Sequence, residues 1–284
     1  MKKIFTYNML LMSMFLFTAC PSNDDDDDSK NIESVTTSTS RGLYCGGKPI
    51  TLYEFNKDGT VRQATFKFND SGVKDDVFTY SYFPDQIRVD NMTLTLQNGR
   101  VTKLYTAGIL LFEYEYDSKG YLARVIEYDY LGRKFDEWGV TWKNGNIVST
   151  SQYGLNHYFV FVPSETSASI AHDGRYNPLI YALWKDRYSL YSMRWAFALV
   201  QYFGTQPQNL AGQVLGEEKD ISVYNDKLQK YVKADIMKGP NFAYEQQGEK
   251  LTKVRQNIVT LDKDGNHVKT LDGTFGTVEY ELKW

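Results

Sequence analysis

Apolar and polar residues alternate with period two through most of the first half of the chain. Phe66 and Phe68, then Phe78, Tyr80 and Tyr82, then Met92, Leu94 and Leu96 fall on one face. Leu110, Phe112, Tyr114 and Tyr116, then Trp138, Val140 and Trp142 continue it. Thr65 and Lys67, Thr79 and Ser81, Thr93 and Thr95, Glu113 and Glu115 make the opposite face. A half-buried antiparallel sheet has this pattern. Turn signals punctuate it at Asn56-Lys57-Asp58-Gly59, Asn69-Asp70-Ser71-Gly72, Pro84-Asp85, Asp90-Asn91, Gln97-Asn98-Gly99, Asp117-Ser118-Lys119-Gly120, Asp129-Tyr130-Leu131-Gly132 and Lys143-Asn144-Gly145. Gly supplies the positive φ of tight hairpins, and Asn or Asp tolerates it. The spacing predicts roughly ten strands before Tyr153.

The middle of the chain breaks the alternation. From Asn177-Pro178 to about Phe203 the sequence is dense in Leu, Tyr, Trp, Met and Ala, and Leu179, Leu183, Leu190, Met193, Phe197 and Val200 approximate helical spacing. Gly204 and Pro207 close it. A segment apolar on most sides is buried, so the expectation is a helical insert at 178–203 lying against the aromatic face of a curled sheet. Strands resume at Ile221–Tyr224, Tyr231–Ile236, Phe242–Gln246, Leu251–Leu261 and Thr274–Trp284. The predicted fold is all-β dominated: a large curled antiparallel meander or barrel-like sheet with one buried helical insert.

The start of the chain has a different character. Lys2 and Lys3 precede an apolar run, Met9 to Phe17, that ends at Thr18-Ala19-Cys20. The run is too short for the roughly 20 residues of a membrane-spanning helix and has the parts of a secretory signal. It resembles a lipoprotein signal peptide over 1–19, cleaved before Cys20, with Phe17 standing where the lipobox pattern favours Leu. Cys20 is then the lipidation site and membrane anchor. Asp24, Asp25, Asp26, Asp27 and Asp28 follow. A short acidic run in this position resembles the export signal of Bacteroides-type surface lipoproteins, although a like-charge run also serves as a plain solvated spacer. Residues 20–44 form the tether in this reading and 45–284 a single β-rich domain. The expected location is the outer membrane, lipid-anchored, at the cell surface.

Charge and cysteine content narrow the partners. The chain holds 32 Lys+Arg and 35 Asp+Glu; two lysines and five aspartates lie within residues 1–28, leaving 30 of each sign in the remainder. A neutral body with no basic patch excludes nucleic acid as a natural partner. Of two cysteines, Cys45 is left once Cys20 is assigned, which predicts a small buried residue and no internal disulfide.

The stretch Glu115-Tyr116-Asp117-Ser118-Lys119-Gly120-Tyr121-Leu122-Ala123-Arg124-Val125-Ile126-Glu127-Tyr128-Asp129 is similar to a tyrosine-aspartate repeat: Tyr-Asp, two residues, Gly, one residue, an apolar residue, a second strand. Together with the acidic-tagged lipobox and the Asn-Pro apolar insert, it resembles a family of Bacteroides-type lipoproteins of unknown function, over about Leu52 to Trp284. The resemblance implies a porin-like β fold. That family brings no catalytic residues to carry over.

Candidate chemistry is sparse. The three histidines are His157, His172 and His267, with no paired spacing for a metal. His172-Asp173 resembles a base with its orienter but also ordinary loop decoration. Asp262, Asp264, Gly265 and Asn266 resemble the opening of a calcium loop without its closing Glu, and a hairpin turn accounts for them. No phosphate loop or nucleophile elbow is present. No cofactor, metal site or catalytic residue is expected. Aromatic residues make up 15% of the chain, 22 of them Tyr, and rings with a polar tip suit glycan or peptide binding as well as a core. Trp138 and Trp142 are the candidate ligand-binding residues, with the core as their alternative. The expected role is a non-enzymatic binding or structural module for a glycan, peptide or envelope partner. An extracellular glycan hydrolase is the alternative. An integral outer-membrane barrel is a third reading, because Val278, Tyr280, Leu282 and Trp284 alternate to the last residue as a terminal barrel strand would.

Overall fold

The structure is a computed structural model that describes residues 41–68, 73–152, 156–170, 174–183, 193–225, 228–270 and 277–283. Sixteen antiparallel strands form one closed barrel in sequence order, with the first strand paired to the last. They are β1 (Arg41–Cys45), β2 (Lys48–Phe55), β3 (Val61–Phe66), β4 (Asp76–Tyr82), β5 (Gln86–Val89), β6 (Met92–Gln97), β7 (Arg100–Thr106) and β8 (Ile109–Tyr116). Then come β9 (Leu122–Tyr128), β10 (Lys134–Lys143), β11 (Asn146–Gln152), β12 (Asn156–Ser167), β13 (Asn209–Asn225), β14 (Lys230–Gln247), β15 (Lys250–Leu261) and β16 (Val278–Lys283). Gly42 opposite Lys283 and Leu43 opposite Leu282 close the ring. The barrel takes in Arg41 to Tyr44, which fall within the expected tether at 20–44.

Local chemistry explains the wall. Asn98-Gly99 and Asn144-Gly145 hold φ of 52°/73° and 49°/72°, the paired positive values of a two-residue hairpin turn. Asp117, Asp129 and Asp262 each accept two backbone N–H bonds at 2.8–2.9 Å, from the second and fourth residues beyond them. Such a carboxylate replaces the ladder partners that a turn removes. The predicted face is the buried one: Phe66, Tyr80, Leu94, Phe112, Tyr114, Trp138 and Val140 all point into the core.

The insert differs from the expected single helix. Its described parts are α1 (Pro178–Ala182) and two 3₁₀ turns, Arg194–Ala198 and Val200–Tyr202; Trp184 and Leu190 lie outside the described residues. Wall side chains capture the carbonyls that a longer helix would use. Trp138 Nε1 donates to Ala182 O at 2.8 Å, and Tyr80 Oη donates to Trp195 O at 2.9 Å. Leu199 N–H turns instead to Ala196 O at 2.9 Å.

Cys45 is buried, as expected. Its sulfur is held in a disulfide, which corrects the expectation of a lone thiol; the partner lies outside the described residues.

Candidate functional site: a filled lumen between two unlike rims

Barrels of about 16 strands leave a lumen too wide for wall side chains alone to fill. Here residues 174–183 and 193–207 enter it from the end where β1 begins, called the proximal rim below. Asn177 starts the insert as a helix cap: its Oδ1 accepts from Leu179 N at 3.0 Å, with Pro178 at the first helical position. Its Nδ2 donates to Gln206 Oε1 at 2.9 Å, tying the entry of the insert to its exit. Gly204 has φ +92°, and a Cβ there would meet Gly120 O at 2.5 Å, so the exit passes close under the β8–β9 turn. Asn146 and Asn209 bond reciprocally at 2.9–3.0 Å where β13 begins.

The insert is packed on all sides by the wall. Phe197 meets Phe66 edge-on at 6.0 Å, Phe203 meets Tyr114 at 5.1 Å, and Tyr176 meets Phe242 at 5.6 Å. Such rings add roughly 0.5–1.5 kcal/mol per pair beyond area burial. Two arginines enter with it. Arg175 Nη2 donates to Thr51 Oγ1 at 2.7 Å. Arg194 pairs with Asp76 at 3.1 Å and lies over the Phe66 and Phe68 rings. Burial, and then neighbouring Tyr116, push the Tyr114 phenol well above its ordinary range.

The sequence-selected residues do not converge on a site. Trp138 is fully buried and serves the core. Trp142 is half-buried at the proximal rim, 4.4 Å from the Tyr121 ring, with Nε1 donating to Leu122 O at 2.7 Å. Asp262 and its neighbours form a hairpin turn whose carboxylate is spent on backbone N–H groups and Asn266 Nδ2. His267 is exposed beside that turn. His157 is placed by its backbone alone, opposite Ser151. Cys20, Asp24, Asp25, Asp26, Asp27, Asp28 and His172 lie outside the described residues.

The outward face of the wall is charged. Lys103 and Glu113 pair at 2.8 Å, Arg124 and Glu137 at 2.9 Å, Lys253 and Glu279 at 2.8 Å, and Arg255 and Glu245 at 2.6 Å. Arg62 and Glu54 form a further pair. Lys103, and then the Tyr128 hydroxyl at 2.5 Å, hold the Glu113 carboxyl below its usual range. The same bond to Glu113 pushes the Tyr128 phenol up to about 12. Lys253 and then Arg255 lower Glu279.

The two rims differ in a way the sequence reading missed. Ten large hydrophobic residues are exposed among the described residues. Eight of them, Val73, Val77, Ile109, Tyr130, Leu131, Phe135, Leu228 and Tyr231, sit on or beside loops at the distal rim. Phe83 is at the proximal rim and Val162 midway along β12. Tyr130, Leu131 and Phe135, on one hairpin, are 75%, 60% and 66% exposed. Period-two reading treats such residues as turn or strand and gives no sign that they share one end of a barrel.

The chain matches no family model. No curated protein matches it. Among solved structures it resembles a porin-like protein from Bacteroides uniformis, with TM-score 0.50 and 13% identity over 82% of this chain and 89% of that one. A porin-like protein from Bacteroides vulgatus matches at TM-score 0.39 and 12% identity, over 87% of this chain and 99% of that one. At such identity the first likeness speaks for the fold, and the second adds no argument. The porin-like β fold implied by the tyrosine-aspartate resemblance is therefore present, while the lipoprotein features rest on the residues of the leader alone.

Proposed function

We propose that the protein is a surface lipoprotein of the outer membrane, held by lipid on Cys20, whose barrel is a binding module rather than a pore or an enzyme. The observation that carries this reading is the polarity of the wall: apolar side chains face a filled lumen, and ion pairs face out. A lipid-facing charge costs roughly 2–4 kcal/mol near the bilayer midplane, so a spanning barrel would place its apolar band on the other face. Strand length supports the same reading. β1 to β9 run only 4–8 residues, short of the roughly 9–11 that cross a membrane. The porin-like neighbour from Bacteroides supports an outer-membrane setting.

The proposed ligand is an extracellular glycan or peptide, engaged by Tyr and Phe faces at the distal rim. Several acyl chains on Cys20 would supply the anchor, each buried CH₂ adding about 0.8 kcal/mol.

Labelling with a palmitate analogue tests the anchor: Cys20→Ala abolishes it and releases the barrel, and persistent labelling refutes the assignment. Replacing Asp24 to Asp28 with Ala leaves lipidation intact but protects the protein from protease applied to whole cells. Equal shaving of both forms would reduce the acidic run to a spacer. Calorimetric titration against a panel of glycans and peptides tests binding. Turnover of a glycan, lost on replacing one carboxylate, would put a hydrolase in place of the binder.

A further inference from the structure

β13 and β14 outrun their neighbours. Pairing with β12 starts at Val160–Leu215 and continues only toward the proximal rim, and pairing of β14 with β15 stops at Met237–Leu261. Above those points 217–225 and 230–236 form a ladder with each other, in a ribbon bulged between Glu218 and Ile221. One edge of this ribbon is covered: Val223 bridges Thr270, and Tyr224 N–H donates to Lys269 O at 2.8 Å. The other edge, Tyr231 to Ile236, has no ladder partner among the described residues.

The direction of that edge follows from antiparallel geometry. Tyr224 N–H points away from β14, so Tyr224 and Tyr231 are a non-hydrogen-bonded pair. Alternation then turns the backbone groups of Val232 and Ala234 toward β13. Those of Tyr231, Lys233 and Asp235 point out of the sheet.

We infer that this edge pairs with the same edge of a second copy of the chain, antiparallel about a two-fold axis at Ala234. In that register Lys233 lies opposite the partner's Asp235, and Asp235 opposite the partner's Lys233. Both residues have their backbone groups turned outward, as a hydrogen-bonded pair requires. Val232 lies opposite the partner's Ile236, and Ala234 meets its own copy at the axis with a side chain small enough for close approach. The sequence Val232-Lys233-Ala234-Asp235-Ile236 is thus complementary to itself in charge and in apolar character. Against a foreign strand the exposed lysine is a deterrent; against its own copy each charge finds its opposite, which favours a closed symmetric pair.

The charged heads are already ordered. Lys233 Nζ donates to Asp220 O at 2.8 Å, and Asp220 N–H donates to Asp235 Oδ1 at 3.2 Å. The bulge therefore fixes both heads on the exposed side of the ribbon. Leu228 and Tyr231, exposed near its tip, add apolar area that a second copy would cover.

Sedimentation velocity on the full-length chain in mild detergent tests the pairing. The expected result is a monomer–dimer equilibrium that shifts with concentration. Lys233→Asp or Asp235→Lys sets like charges opposite each other and weakens it roughly tenfold. The double reversal restores opposite charges and recovers the wild-type constant to within about threefold. Hydrogen exchange gives a second reading that does not depend on the variants: the Lys233 and Asp235 amides slow as concentration rises, while Val232 and Ala234, bonded within the ribbon, do not change. A chain that stays monomeric at every concentration overturns the proposal. So does an association indifferent to single reversal, or one that the double reversal fails to restore.

Discussion

The wall from β1 to β11 and the sector from β12 to β15 are built by different rules. The first uses strands of 4–10 residues closed by local turns such as Asn98-Gly99 and the Asp117 and Asp129 carboxylate turns. The second uses strands of 12–18 residues, and one of its connections is the segment that fills the lumen. In the first, each strand finds its register from the turn beside it. In the second, β14 and β15 still meet across a short turn at Gln247–Lys250, but β12 and β13 are joined through the insert, where contacts link residues far apart in sequence, such as Asn146 with Asn209 and Trp138 with Ala182. The two sectors form one molecule because the insert of the second is the core of the first.

That comparison breaks most severely inside the insert. Leu179→Asp would bury an unpaired charge among wall and insert residues, costing several kcal/mol against a total stability of about 5–15 kcal/mol. The expected outcome is loss of the cooperative urea transition for the whole barrel. A preserved transition would mean that the wall folds without its filling. Trp138→Ala removes the largest fully buried side chain and its bond to Ala182 O, with an expected loss of about 3–5 kcal/mol. Denaturant midpoints measure it, and a loss under about 1 kcal/mol would show that the lumen collapses around the gap. Gly204→Ala forces a Cβ at positive φ toward Gly120 O. A loss of about 1–3 kcal/mol is expected, while Gly59→Ala, whose Cβ would meet nothing within 4 Å, costs less because only its own φ is strained.

Smaller effects separate turns from rim. Backbone and side-chain bonds from Asn266 lower Asp262, and bonds from Arg133 lower Asp129. A carboxyl with a depressed folded pKa contributes stability that is fully present above its unfolded value near 4 and is lost as pH falls through the lower folded value. Melting temperature should therefore drop below about pH 4, and less so in Asp129→Asn together with Asp262→Asn. An unchanged acid slope in that variant would remove the turns from the account. Replacing Tyr130, Leu131 and Phe135 by Ser should shift stability by no more than about 0.5 kcal/mol each, yet abolish glycan or peptide binding. Full binding by the triple variant would move the ligand away from this hairpin.

The all-β class, the buried face, the turns and the burial of the insert were legible, because each is a local pattern or a count of apolar residues. Eleven strands precede Tyr153 where about ten were expected. Residues 156–167 and 209–220 drew no assignment, since β12 and β13 carry no short turn to bracket them there. Pro240 and Gly239 split β14 into two predicted strands, yet β14 runs through them: a Cβ at Gly239 would collide with Val214 O, so the glycine permits a close approach rather than marking a turn. Of the candidate site residues, Trp138 and Trp142 were visible as rings, but their destinations were not, because burial belongs to the partner surface.

What the sequence determined by itself is period and turn: alternation selects strands, and Asp-Gly and Asn-Gly select hairpins. Each is decided within a few residues of chain. Closure of β1 on β16, the breaking of the insert into short turns, and the gathering of eight exposed apolar residues at one rim were decided only by the tertiary structure. They depend on which distant residues meet, and no local pattern encodes a meeting across a lumen.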